Sequence, residues 1–171
     1  MGYTIAICDD DKTMADKLTA SLKNEFMKAG RNDVIIDYYD TGVQLLEALK
    51  NKMYKAVLLD INMEPMDGFA VAEAIGKSGY RTKIIFVTSH EDVVYDTFDY
   101  TPFYFIRKSR YETYVQRVVK KLIAIDGYEK TIVLDDKDGI ININSGDITY
   151  VHSEDPVSYT HLRAHETGRN L

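Results

Sequence analysis

Four short apolar runs, each ending in a reactive polar residue, constrain this chain more than any other feature. Ile5-Ala6-Ile7-Cys8 leads into Asp9-Asp10-Asp11, and Ala56-Val57-Leu58-Leu59 leads into Asp60. Ile84-Ile85-Phe86-Val87 ends at Thr88-Ser89, and Phe103-Tyr104-Phe105-Ile106 ends at Arg107-Lys108. Continuous apolar runs of this length, separated by helical patterns, read as strands of a parallel sheet buried on both faces. Ligands of such sheets bind beyond the carboxyl ends of the strands, so all four polar ends are expected to meet at one edge.

The intervening segments support this reading. Met14, Leu18, Leu22 and Phe26 recur every fourth residue and form one apolar helix stripe that stops near Gly30. Val34-Ile35-Ile36 is a further strand, and Thr41 can cap a helix carrying Leu45, Leu46 and Leu49. The turn-rich stretch 62–68 precedes a helix with Phe69, Ala70, Ala72, Ala74 and Ile75, which ends between Gly76 and Gly79. A short helix is expected near residues 91–99, and Val115, Val118, Val119 and Leu122 mark a final amphipathic helix. The expected fold is therefore α/β, a doubly wound five-stranded parallel sheet with right-handed crossovers.

Beyond residue 125 the pattern changes. Thr131-Ile132-Val133-Leu134, Ile140-Ile141-Asn142-Ile143 and Ile148-Thr149-Tyr150-Val151 are separated by turn sequences and read as strands of an incomplete all-β module. The apolar fraction of 45% is enough to build a core, and the net charge of −6 argues against a surface that coats nucleic acid. The single cysteine, Cys8, lies inside an apolar run; it reads as a small core residue and fits a reducing cytoplasm. With no signal-peptide pattern and no run near the ~18 apolar residues of a membrane span, a cytoplasmic protein without membrane contact is expected.

The polar run ends point to phosphoryl chemistry. A carboxylate such as Asp60 can take up a phosphoryl group as an acyl phosphate. The approach of two anions needs cationic help, and Mg²⁺ is suited to one or two carboxylates plus phosphate oxygens and water. Asp9 and Asp10 can supply that charge beside Asp60. Clustered carboxylates repel one another unless a cation joins them. Thr88 can hydrogen-bond a phosphoryl oxygen, and Lys108 can neutralise another as a mobile point charge. Asp11 reads as a helix cap rather than a ligand.

These motifs, CDDD, LLDINMEPMDGF, VTSH and FIRKS in that order over roughly residues 3–124, closely resemble the receiver domain of two-component response regulators, a flavodoxin-like fold. The resemblance implies that Asp60 accepts phosphate from the phosphohistidine of a sensor histidine kinase. It implies Mg²⁺ held by Asp9, Asp10, Asp60 and the backbone carbonyl of Asn62. Thr88 and Lys108 would read the phosphoryl group, and Phe105 matches the family's aromatic switch position. Phosphorylation would then repack the face built from the helix near 91–99, the fifth strand and the final helix, a face on which such domains can form homodimers. Asn62 and His90 fall at positions that tune phosphate lifetime in the family. Two departures stand out: Ser109 follows Lys108 where most receivers have proline, and Pro65 lies one place later than usual.

The stretch TIVLDDKDGIININSGDITYVHSED resembles the opening of a LytTR-type DNA-binding domain. That resemblance implies a parent transcription regulator that reads promoter DNA, with the DNA-contacting loops absent from this chain. Residues 157–171 resemble the translation of a sequencing-library adapter and are expected to be non-native. The expected boundaries are thus 1–125 for the receiver, 126–156 for the truncated second domain and 157–171 for the tail. Two rival readings remain: a stand-alone receiver that shuttles phosphate or binds a protein, and a phosphatase with an aspartyl nucleophile. Such phosphatases usually carry a second aspartate two residues after the nucleophile, where this chain has Asn62. The chain is therefore expected not to be an enzyme.

Overall fold

In a computed structural model of the chain, the described residues are 3–89, 100, 102–126, 131–136, 139–144, 152–153 and 160–161. The chain divides into two compact units, Met1–Lys120 and Lys121–Leu171. In the first unit, β1 (Tyr3–Cys8), β2 (Val34–Tyr39), β3 (Ala56–Asp60), β4 (Lys83–Thr88) and β5 (Tyr104–Arg107) form one sheet in the order β2-β1-β3-β4-β5. Every neighbouring pair is parallel. The strand order reverses at β1, so a crevice opens beyond the carboxyl ends of β1 and β3.

Helices α1 (Lys12–Lys28), α2 (Gly42–Leu49), α3 (Gly68–Lys77) and α4 (Tyr111–Asp126) flank the sheet. Burial of β3 is complete from Ala56 to Asp60, which explains its unbroken apolar run. Ala6, Cys8, Val57 and Leu59 pack with Leu45 and Leu49 of α2 and with Val71, Ala72 and Ile75 of α3. The alternate residues Ile5, Ile7 and Leu58 turn to the opposite face. Tyr3 of β1 meets Phe26 of α1 with ring centroids 5.1 Å apart.

The expected stripe of α1 is buried in full, from Met14 to Phe26, and so are Val115, Val118, Val119 and Leu122 of α4. Asp11 caps α1, accepting from the amides of Thr13 and Met14 at 2.9 and 3.1 Å. Thr41 caps α2 through the Gln44 amide.

On α3 the residue order alone names no core face. Val71 is buried with Ala72 and Ile75, whereas Ala70 is exposed and Phe69 and Ala74 are half-buried. The run of small residues gives no clean period, so packing against α2 and β3 decides the face. β2 also runs three residues past Ile36. Asp37 is held there by Lys52 and by the Tyr54 hydroxyl at 2.5 Å, and the Tyr54 and Tyr39 hydroxyls share a 2.6 Å hydrogen bond.

In the second unit, β6 (Thr131–Asp136) and β7 (Gly139–Asn144) pair antiparallel as a hairpin, matching two of the expected strands. β8 (His152–Ser153) and β9 (Thr160–His161) form a separate antiparallel pair. The third expected strand, 148–151, and the helix expected at 91–99 lie outside the described residues.

Candidate functional site

Asp9 directly follows β1, and Asp60 is the last residue of β3; both are buried, with 1% and 4% of their surface exposed. Strand register brings them together, since Cys8 pairs with Leu59 and each is followed by its aspartate. Asp10 continues the β1–α1 turn and is exposed. Lys108, in a 3₁₀ turn (Lys108–Arg110) after β5, reaches across the strand ends. Its ammonium donates to Asp9 Oδ1 at 3.0 Å and to Asp60 Oδ2 at 2.9 Å.

Backbone amides complete the fixing of the two buried carboxylates. The Asp11 amide donates to Asp9 Oδ1 at 2.9 Å, and the Ile61 amide donates to Asp60 Oδ1 at 2.8 Å. Burial pushes the Asp9 carboxyl above its ordinary value of 3.8, with the Lys108 ammonium opposing. The Asp60 carboxyl is raised for the same reason, against Lys108 and the Ile61 and Asn62 amides. For Lys108, burial disfavours the charge, but the two carboxylates more than offset it and raise its pKa. The raised carboxyl values mark the cost of burying these two charges, and the raised Lys108 value marks its attraction to them.

Three carboxylates face one ammonium here. One oxygen from each of Asp9, Asp10 and Asp60 lies within 4.8 Å of the others, a span that a small divalent cation with oxygen ligands can bridge. Asp9 Oδ2 is buried and accepts no hydrogen bond. The Lys108 ammonium is 2.9 Å from it, but at an angle that makes an ion pair without a hydrogen bond. An oxygen paired in this way, with no hydrogen bond, keeps lone pairs that a bound cation could take up. The donor set therefore fits a hard cation such as Mg²⁺.

The remaining expected residues fall around this cluster. Thr88 is buried at the end of β4, one residue past Val87, the register partner of Asp60. Phe105 is half-buried on β5 beside Phe86, and packs against the core that underlies β3. Asn62 is exposed directly after Ile61, and Ser109 is exposed after Lys108. The peptide between Glu64 and Pro65 is cis. His90 lies outside the described residues. Cys8 is buried, with its thiol 3.6 Å from Met63 Sδ and its pKa pushed up to about 12 by burial and the nearby aspartates, which suits a packing role.

Two contributors escaped the sequence reading. The Gly68 amide donates to the Ile61 carbonyl at 2.9 Å, and a Cβ there would lie 2.1 Å from the Asp60 carbonyl oxygen. Its only signal was a glycine at the start of a helix. The Tyr38 hydroxyl donates to the Asp9 carbonyl at 3.0 Å, a contact with no sequence signal because it depends on where β2 ends.

An acidic crevice at the switch point of a 2-1-3-4-5 sheet, with a lysine bridging two of its aspartates, defines a class of phosphate- and metal-handling α/β domains. The match is specific: residues 5–119 fit the response regulator receiver domain family, and the chain belongs to it. The transcriptional regulatory protein YpdB of Escherichia coli is 28% identical over 90 residues, covering 53% of this chain and 37% of that protein. Protein MrkE of Klebsiella pneumoniae is 27% identical over 88 residues, covering 52% and 33%. The matched region thus spans only about a third of either relative's length.

Among solved structures, the response regulatory domain of MrkE superposes with a TM-score of 0.64 at 22% identity, covering 71% of this chain and 96% of that one. The response regulator TrrA of Thermotoga maritima, solved in complex with Mg(2+)-BeF, gives 0.58 at 28% identity, covering 71% and 99%. Among the described residues, no helix is long and apolar enough to cross a membrane.

Proposed function

We propose that this chain is the phosphoacceptor module of a two-component transcription regulator, with Asp60 as the acceptor. The observation that carries this reading is Lys108 bridging the buried Asp9 and Asp60, beside a buried Asp9 oxygen that accepts no hydrogen bond. Support also comes from the Mg(2+)-BeF complex of TrrA and from the name of YpdB as a transcriptional regulator.

In the proposed reaction an Asp60 carboxylate oxygen attacks the phosphorus of a phosphohistidine on a sensor histidine kinase. The P–N bond breaks, the histidine leaves with its electron pair, and an aspartyl phosphate forms. Mg²⁺, held by Asp9, Asp10, Asp60 and the Asn62 carbonyl, would neutralise charge between the approaching anions. The Ile61 amide and Lys108 orient the Asp60 carboxylate. Once Asp60 carries phosphate, Lys108 and Thr88 take phosphoryl oxygens, and Phe105 follows Thr88 toward the core. Asn62 and His90, at the positions that tune phosphate lifetime in the family, would set how long the aspartyl phosphate persists.

The same reading makes the chain a substrate of its kinase rather than an enzyme, cytoplasmic, and able to form a homodimer on phosphorylation. The hairpin β6–β7 belongs to the start of a LytTR-type domain, whose complete form in the parent protein binds promoter DNA. Residues 157–171 are a non-native tail. Intact-mass spectrometry after incubation with Mg²⁺ and acetyl phosphate tests the chemistry. One phosphoryl adduct is expected, absent in Asp60→Asn and without Mg²⁺; a folded wild type that takes up none refutes the proposal.

A further inference from the structure

The three carboxylates of the acidic cluster are not equally restrained. Asp9 is fixed by Lys108 and the Asp11 amide, and Asp60 by Lys108 and the Ile61 amide. Asp10 is exposed and has neither kind of restraint from those groups, so its direction is set by the peptide that joins it to Asp9. That peptide's carbonyl accepts from the Tyr38 hydroxyl at 3.0 Å. On the amino side, the Asp9 amide donates to the Tyr39 carbonyl at 3.1 Å, so the end of β2 holds the turn at two points. The same Tyr38 ring carries the Lys12 ammonium 4.4 Å from its centroid, which ties the first turn of α1 to it as well.

We infer that Tyr38 is a positioning residue for cation binding, acting through the Asp9–Asp10 peptide to aim the Asp10 carboxylate into the cluster. The inference rests on the reading of that cluster as a Mg²⁺ site. Groups that orient ligands by hydrogen bonding commonly change metal affinity by an order of magnitude without touching the metal. A phenol is well suited to the role: its ring is stiff, its hydroxyl reaches the turn, and the cation over its face restrains it further.

The test is a double-mutant cycle on the full chain, with Mg²⁺ affinity read from the backbone amide shifts of residues 9–11 by NMR. Tyr38→Phe keeps the ring and the Lys12 contact and deletes one hydroxyl. It is expected to weaken Mg²⁺ binding about tenfold in the wild-type background. In an Asp10→Asn background the same change is expected to weaken binding less than about twofold, since the ligand Tyr38 aims is gone. Equal losses in both backgrounds, or none in the first, overturn the inference.

A wild type whose amides do not respond to Mg²⁺ sinks the cation-site reading and this inference with it. A responding wild type with an unchanged Tyr38→Phe sinks the inference alone. A second measurement needs no variant: the Asp10 amide order parameter should match the adjoining strand, near about 0.85. A value below about 0.6 shows a turn that is not held, and overturns the inference.

Discussion

Substituting Gly68 with alanine is expected to damage the site by a route that involves no charged group. The added Cβ would sit 2.1 Å from the Asp60 carbonyl oxygen and 2.9 Å from Ile61 Cα. Both are backbone atoms of the β3 end, so neither can swing aside as a side chain would. Relief requires the first turn of α3 to back away by about 1 Å, which overpacking studies place at about 1–3 kcal/mol. The same movement stretches the 2.9 Å hydrogen bond from the Gly68 amide to the Ile61 carbonyl, adding about 1 kcal/mol. Urea unfolding followed by circular dichroism should therefore show a loss of about 2–4 kcal/mol. Because the clash falls on the Asp60 backbone, phosphoryl uptake should slow as well. Gly76, in the same helix, is the control: nothing lies within 4 Å of its added Cβ. There alanine should stabilise by about 0.5–1 kcal/mol through helix propensity alone. A Gly68→Ala protein within about 0.5 kcal/mol of wild type, or a Gly76→Ala protein as damaged as Gly68→Ala, would refute the packing argument.

Other expectations follow from single contacts. Asp11→Ala removes the acceptor for the Thr13 and Met14 amides and should cost about 1 kcal/mol in the same unfolding assay, with Mg²⁺ affinity changed little. The pH dependence has a definite sign. Asp9 has its folded pKa raised above 3.8, so the folded state holds that proton after the unfolded chain has released it. Metal-free wild type should therefore lose stability relative to Asp9→Asn as pH rises from about 4 toward neutrality, as measured by thermal melts across that range. A wild type that gains on the variant over the same window would contradict the raised value. Lys108→Ala leaves Asp9 and Asp60 buried without their shared cation. Its melting temperature should fall in the metal-free protein, with added Mg²⁺ recovering part of the loss.

The sequence was most legible where burial is uniform. β1, β3 and β4 are covered on both faces, so their apolar runs are unbroken and their ends mark the crevice. Asp9, Asp60 and Thr88 sit at such ends, and Lys108 follows the short apolar run of the edge strand β5, which is why the cluster could be read from residue order alone. β2 is an edge strand, half-buried along most of its length, and its charged Asp37 hides its true extent. That same misjudged end carries Tyr38, so its contact with the turn had no signal. The buried face of helix α3 has no sequence signal because alanines and glycines fit either side, and only the fit of Val71 against Gly42 and the core settles it. The Cβ conflict at Gly68 is a property of two backbones meeting, and single-residue patterns do not encode it.

If Asp60 itself carries the phosphoryl group, the modified residue can be read directly. Borohydride reduction of the phosphorylated protein converts an aspartyl phosphate to homoserine, and peptide mass spectrometry then locates the changed residue. Homoserine is expected at Asp60 alone, formed only in samples exposed to both Mg²⁺ and phosphodonor. Homoserine at Asp9 or Asp10, or an adduct that survives reduction with Asp60 unchanged, would contradict that expectation.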